Sequence, residues 1–276
     1  MKSRPLRVLP GFGLSLGVTV TALSLFVIIP LATLVARGMG MNWESFSNAA
    51  LSPRALATYR LTFTAALVAG ILNSLIGVLL AWTLIRYSFP GRRLLDGIVD
   101  LPFALPTAVA GISLTTLYAP HGWLGSLLGG LGLKVAFTPS GIMMAMLFVG
   151  IPFVVRAVQP VLEDFDRALE EAAASLGAGP LTTFRKITLP TLLPAILTGF
   201  SLSLARGLGE YGSVIFIAGN MPFKTEVTSL LIVAQLEEFD YQGATAIALV
   251  MLAGSFTLLL GLNALQRLTI SRREAK

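Results

Sequence analysis

The chain of 276 residues is 55% hydrophobic and only 12% charged. A soluble domain carries about 25% charged residues, so this surface cannot be coated with polar groups and lipid must cover part of it. There is no cysteine and a single histidine, His121, which excludes disulfides, thiolate chemistry and multi-histidine metal sites. The net charge of +6 comes from scattered basic residues, a pattern of membrane orientation and not of nucleic-acid binding.

Lys2, Arg4 and Arg7 precede an apolar run over residues 12–36. That run exceeds the roughly 7–15 residues of a signal-peptide core, and no small-x-small cleavage pattern follows it. It is read as a retained first helix. A spanning helix takes about 20 mostly apolar residues, and residues 61–85, 98–118, 140–162, 189–218 and 243–265 also qualify. The third window contains Asp100, Pro102 and Pro106. Thr138 stands where it can cap the fourth window, with Pro139 at the first turn, where proline is tolerated. The six windows predict an all-α, polytopic membrane protein, with one transmembrane domain over residues 1–276.

Lysine and arginine in the connections set the orientation. With the N-terminus in the cytoplasm, Arg37, Arg54, Arg60, Lys134 and Lys224 fall outside and Arg206 falls within a span. The remaining basic residues, Arg156 among them, fall inside. The opposite orientation inverts the bias, so both termini are expected in the cytoplasm. Trp43, Trp82 and Trp123 lie near span ends, where interfacial tryptophans belong.

The one large inner connection, residues 163–188, has its own pattern. Phe165, Leu169, Ala172, Ala173 and Leu176 share one helical face. Glu163, Arg167 and Glu171 are spaced as i,i+4 ion pairs. Gly177 stands where a left-handed terminal residue belongs, and Pro180 restarts a helix carrying Leu181, Phe184 and Ile187. Two short helices turned at Gly177 are predicted on the inner face. An amphipathic helix can simply rest on lipid, but such helices are usually basic. Here Glu163, Asp164, Asp166, Glu170 and Glu171 face a single Arg167, which suits a protein partner better than anionic lipid.

Glu171, Ala172, Ala173, Gly177, Ile187, Leu189 and Pro190 resemble, at the family's spacing, the EAA loop of ABC importer permeases. The resemblance implies the type I importer permease (MetI-like) fold, and that this loop forms coupling helices docked on an ATPase subunit. No G-x-x-x-x-G-K-[ST] phosphate loop is present. ATP and Mg are therefore expected on the partner, with no cofactor and no catalysis on this chain. An autonomous carrier or channel would need no such loop, and a membrane enzyme would need convergent polar groups that the sequence lacks.

Further stretches resemble the oxyanion branch. These are residues 100–111 of helix three, 208–212 with 217–220 at the end of helix five, 224–230, and 238–241. The likeness implies a sulfate/thiosulfate importer in a bacterial inner membrane, with molybdate or tungstate as the alternative. The implied partners are a homologous W-type permease, two ATPase subunits and a periplasmic sulfate-binding protein. A dianion needs donors in place of its water, and half-helix N-termini supply them. Pro102, Pro106, Gly207, Gly209 and Gly212 can open such breaks, or can merely permit kinks and close packing.

Arg206 and Glu210 are intramembrane charges at i,i+4. They either help or gate an anion, or form an ion pair that fixes the contact between two permeases. Asp100 with Arg92 and Arg93 is either a gate at the inner mouth or a membrane-edge carboxylate satisfied by those arginines.

Overall fold

The computed structural model describes the backbone of residues 11–274 and the side chains up to residue 266. Lys2, Arg4, Arg7 and Lys276, and the side chains of Arg267, Arg272 and Arg273, used above for orientation, lie outside the described residues.

In chain order the helices are α1 (Phe12–Met39), α2 (Trp43–Ala50), α3 (Pro53–Arg86), α4 (Arg92–Val99), α5 (Leu101–Ala104), α6 (Thr107–Tyr118) and α7 (Trp123–Gly130). They continue with α8 (Pro139–Glu163), α9 (Ala168–Ser175), α10 (Pro180–Leu208), α11 (Val214–Ile217), α12 (Thr228–Glu237) and α13 (Tyr241–Glu274). Five of these, α1, α3, α8, α10 and α13, are long and apolar enough to cross a bilayer. The chain is a multi-pass helical membrane protein.

Two expected spans are not continuous. The window at 98–118 is split among α4, α5 and α6, and the window at 189–218 ends at Leu208 and resumes as the four-residue α11. The first break has a local cause. Proline disfavours the helical region for the residue before it, and Leu105 and Pro106 both take extended backbone, with ψ of 133° and 132°.

The centre is a three-helix packing of α3, α8 and α10. Its logic is written on α3, whose buried face runs Thr62, Ala65, Ala66, Ala69, Gly70, Asn73, Gly77 and Ala81. This stripe of small residues recurs every three or four positions. Leu67, Ile71, Leu75 and Leu79 fill the opposite, exposed face. Lipid is as apolar as leucine, so helices in a bilayer associate through close backbone approach and not through hydrophobic transfer. The same reasoning explains why Gly77 of α3 and Gly199 of α10 both press on Val154 of α8.

A polar contact sits inside this packing: Asn73 Nδ2 donates to Ser203 Oγ at 2.8 Å, and Gly150 of α8 leaves room for both. At the other end Thr62 of α3 accepts the backbone N–H of Thr228 at 2.9 Å. One of the unpaired donors at the start of α12 is thereby satisfied by a different helix.

Both α1 and α10 contain a widened π turn, at Ser24–Ile28 and at Phe184–Thr188. Each ends two residues before a proline, Pro30 or Pro190. Proline has no N–H and its ring crowds the carbonyl four residues back, so the turn before it opens. Thr138 does sit at the N-cap of α8, but its hydroxyl binds the Val135 carbonyl at 2.6 Å and caps no helical N–H.

Candidate functional site

The loop beyond α8 forms a short helix closed at Gly177, though not with the expected boundaries. Helix α8 stops at Glu163 and α9 begins only at Ala168; between them Asp166 Oδ1 accepts the Ala168 N–H at 2.9 Å in a turn just ahead of the new helix. Glu163 and Arg167 are therefore not on one helix, and the ion pairs expected of Arg167 do not form among the described residues. Glu170 and Glu171 fall in the first turn of α9, where negative charge suits the helix dipole.

Gly177 adopts a φ of 82°. Its N–H donates to the Ala174 carbonyl at 2.9 Å, and the Ala178 N–H donates to the Ala173 carbonyl at 3.0 Å. This pair of bonds is the Schellman termination. Nothing lies within 4 Å of where a Cβ on Gly177 would stand. The demand for glycine is therefore one of backbone angle and not of space. Gly177→Ala is expected to weaken the turn by about 1–2 kcal/mol, the cost of left-handed backbone for an L-residue, and Gly177→Asn by less. Amide exchange at Ala178 reads this: the alanine variant should exchange fastest, and equal rates in all three proteins would contradict it.

The second short helix is not separate. Pro180 opens α10 itself, so Ile187, Leu189 and Pro190 lie in the first turns of a span. Glu171 and Ala172 are exposed and Ala173 is half-buried. The expected apolar stripe is buried only at Phe165; Leu169 is 51% exposed and Leu176 is 89% exposed. An isolated helix that leaves its leucines uncovered at a loop tip presents an apolar surface to whatever docks there.

Deeper in the molecule the two broken segments meet. Gly212 lies against Thr107 and the backbone of Ala108, and a Cβ on Gly111 would stand 2.5 Å from the Ser213 carbonyl oxygen. The first turn of α6 thus packs directly on the loop that ends α10. Of the candidate break residues, Gly209 and Gly212 lie in that loop, whereas Gly207 stays inside α10. Pro102 lies in the first turn of α5 and Pro106 at the start of α6.

Arg206 and Glu210 do form an ion pair. Glu210 is buried, and its Oε1 accepts both the Ser213 N–H and the Ser213 hydroxyl at 2.8 Å. The carboxylate therefore ties the end of α10 to the start of α11.

Asp100 takes a partner that the sequence reading did not assign. Arg156 of α8 donates to both of its oxygens, at 2.8 and 2.5 Å, and also to Asp96 at 2.7 Å. Arg92 and Arg93 form no ion pair with Asp100. Arg156 was counted among the inner charges, yet it sits within a spanning helix. Two signals pointed to this cluster: Arg156 stands alone among apolar residues, and Asp96 and Asp100 are four apart.

Asp96 is held below the ordinary carboxylate range, chiefly by the hydrogen bond from Gln159 and then by the Arg156 guanidinium, against an opposing effect of burial. A lowered carboxylate pKa adds stability that is complete above the unfolded value, about 3.9, and is lost as pH falls through the folded value. Asp96→Asn is therefore expected to lower the melting temperature at pH 7, with the difference shrinking below about pH 4. The group is 43% exposed, so the effect stays within about 1 kcal/mol. A difference independent of pH would contradict it.

The sequence matches the family described as "Binding-protein-dependent transport system inner membrane component" over residues 73–274. It is 52% identical over 260 residues to the sulfate transport system permease protein CysT of Salmonella typhimurium, covering 94% of each chain. It is 51% identical to that of Escherichia coli, again over 94% of each. A probable sulfate transport permease of Nephroselmis olivacea is 50% identical, over 87% of this chain and 84% of that one.

Among solved structures, a bacterial ABC transporter for the acidic polysaccharide alginate superposes with a TM-score of 0.76 at 19% identity, covering 93% of this chain and 96% of that one. The MetNI methionine transporter gives 0.58 at 16% identity, covering 79% and 98%. These likenesses carry the fold alone. The apolar helix set, the exposed helix closed at Gly177 and the match from residue 73 to residue 274 agree: this chain belongs to the binding-protein-dependent transport system inner membrane components, the permeases of ABC importers.

Proposed function

We propose that this chain is the permease subunit of an ATP-driven sulfate importer and forms half of its translocation pathway. The observation that carries the substrate is half identity, over 94% of both chains, to permeases named for sulfate transport. Thiosulfate shares sulfate's charge and tetrahedral shape and belongs to the same reading.

The energy comes from a separate ATPase subunit, which binds ATP and Mg. What supports this is helix α9 with its exposed Leu169 and Leu176 and acidic first turn, and the absence of a phosphate-binding loop from the sequence. The remaining partners are a homologous second permease, a second ATPase and a periplasmic sulfate-binding protein. A solved alginate transporter in complex with its ligand-bound periplasmic protein, at a TM-score of 0.76, is consistent with that assembly.

The chain sits in the bacterial inner membrane with α9 in the cytoplasm. What supports this is that Arg86, Arg185 and Lys186 lie at the α9 end of the molecule, in keeping with the preference for positive charge on the cytoplasmic side. The meeting of α6 with the loop at Gly209 and Gly212 lines the pathway. Arg206 and Glu210 fix that loop, because the carboxylate is already engaged by Arg206 and Ser213 and offsets the positive charge.

The test is ATP hydrolysis by the reconstituted importer with binding protein loaded with sulfate, thiosulfate or molybdate. Stimulation by sulfate is expected. Stimulation by molybdate alone would reassign the substrate, and transport by this chain without an ATPase would overturn the reading.

A further inference from the structure

We propose that Arg86, Glu170 and Thr188 form a clamp that makes the docking helix move as one body with two membrane spans, so that Arg86 and Glu170 are positioning residues for coupling. The proposal rests on the importer reading above.

Arg86 ends α3 and its side chain is only 9% exposed. Its guanidinium stacks on Trp82 at 5.0 Å and on Phe165 at 5.3 Å. Set against both rings, it donates from one nitrogen to Glu170 Oε1, 3.0 Å away. The Thr188 hydroxyl donates to the same oxygen at 2.9 Å. One carboxylate oxygen thus joins the last turn of α3, the docking helix α9 and the widened turn of α10 just before Pro190.

Nothing else ties α9 as firmly. None of its residues is fully buried. Among the described residues, Glu170 is its one side chain hydrogen-bonded to a spanning helix. A cavity of about 320 Å³, lined by Trp82, Glu170, Ala174, Ala178, Pro180 and Phe184, lies beside α9 where it faces the start of α10. The packing between α9 and the start of α10 buries no α9 residue fully, so the clamp is the specific polar tie between them. A pull on α9 reaches α3 and α10 through Glu170, and hydrogen bonds to charged groups in a half-buried site are among the stronger single contacts.

The experiment uses the assembled importer in proteoliposomes, with two readouts. Coupling is the ATP hydrolysed per substrate taken up, and the tie itself is amide exchange of residues 168–176. Glu170→Ala and Arg86→Gln are expected to raise both roughly tenfold while the ATPase stays bound. Glu170→Ala alters only the more exposed partner, so the test survives if Arg86→Gln fails to fold.

The chain has no cysteine, so Glu170→Cys with Thr188→Cys, joined by a short thiol crosslinker, should restore the wild-type ratio. Unchanged exchange and an unchanged ratio in Glu170→Ala would overturn the clamp. Absence of sulfate uptake by the wild-type importer would instead overturn the transport reading. The exchange readout needs no substrate and still decides the clamp.

Discussion

A leucine at position 199 is expected to abolish accumulation of folded protein in the membrane. A Cβ on Gly199 of α10 would stand 2.7 Å from the Val154 Cα, 3.2 Å from the Phe153 carbonyl oxygen and 3.3 Å from the Ala157 Cβ. Two of those atoms are backbone and cannot turn aside. Helix α8 cannot retreat either, because Gly77 of α3 meets Val154 from another helix, where a Cβ would lie 2.7 Å from both Cβ and Cγ1. Overpacking a core by a few methylenes costs about 1–3 kcal/mol where neighbours can move. Here a whole side chain must fit between backbones, so the cost exceeds that range.

Gly129→Leu is the control. It lies in α7 with nothing within 4 Å of its Cβ position, and it should be tolerated. Size-exclusion profiles of the two variants in detergent give the answer. A monodisperse Gly199→Leu peak at wild-type yield would show that the packing of α8 and α10 is not as described.

Removing Arg54 is expected to cost about 3–5 kcal/mol. Its Nε and one terminal nitrogen reach the two oxygens of Glu226 at 2.8 and 2.6 Å. The Glu226 side chain is 0% exposed, whereas that of Arg54 is 35% exposed. Arg54→Ala therefore leaves a carboxylate in the interior without its cation, and that penalty outweighs the attraction that was lost. Changing both residues together removes the charge as well as its partner. Arg54→Leu with Glu226→Leu should be milder than Arg54→Ala alone. Thermal melting in detergent compares them, and a double variant as damaged as the single one would refute the argument. The pair matters for shape because it anchors the first turn of α3 to the segment leading into α12.

The breaks in the third and fifth windows show how far residue type alone reaches. Pro106 coincides with a break, yet Pro152, Pro160 and Pro194 lie inside α8 and α10 without interrupting them. Gly207 likewise remains helical while Gly209 ends the helix. A proline or glycine within a span is tolerated when neighbouring groups satisfy the freed backbone. That depends on what packs beside it, which hydropathy does not record. Hydropathy therefore marks the apolar segments but not the gaps at residues 105–106 and 209–213 that interrupt two of them.

The loop over residues 163–188 was more legible because its determinants are local. The turn at Gly177, the acidic first turn and the restart at Pro180 each involve residues a few positions apart. Continuity is what differs: α9 begins only after the turn at Asp166, and the helix after Pro180 is the start of a span.

The sequence by itself determined that this chain lies in a membrane, that it is helical, and that its exposed helix α9 turns at Gly177. Those follow from composition, from a period of three to four residues and from backbone angles only glycine adopts readily. The tertiary structure alone decided which charge meets which. Asp100 bonds Arg156 across 56 positions, Arg86 bonds Glu170 across 84 and Arg54 bonds Glu226 across 172. Such pairs leave no periodic trace, because in an apolar bundle any helix face can meet any other. What selects among them is the close fit of small residues on α3, α8 and α10.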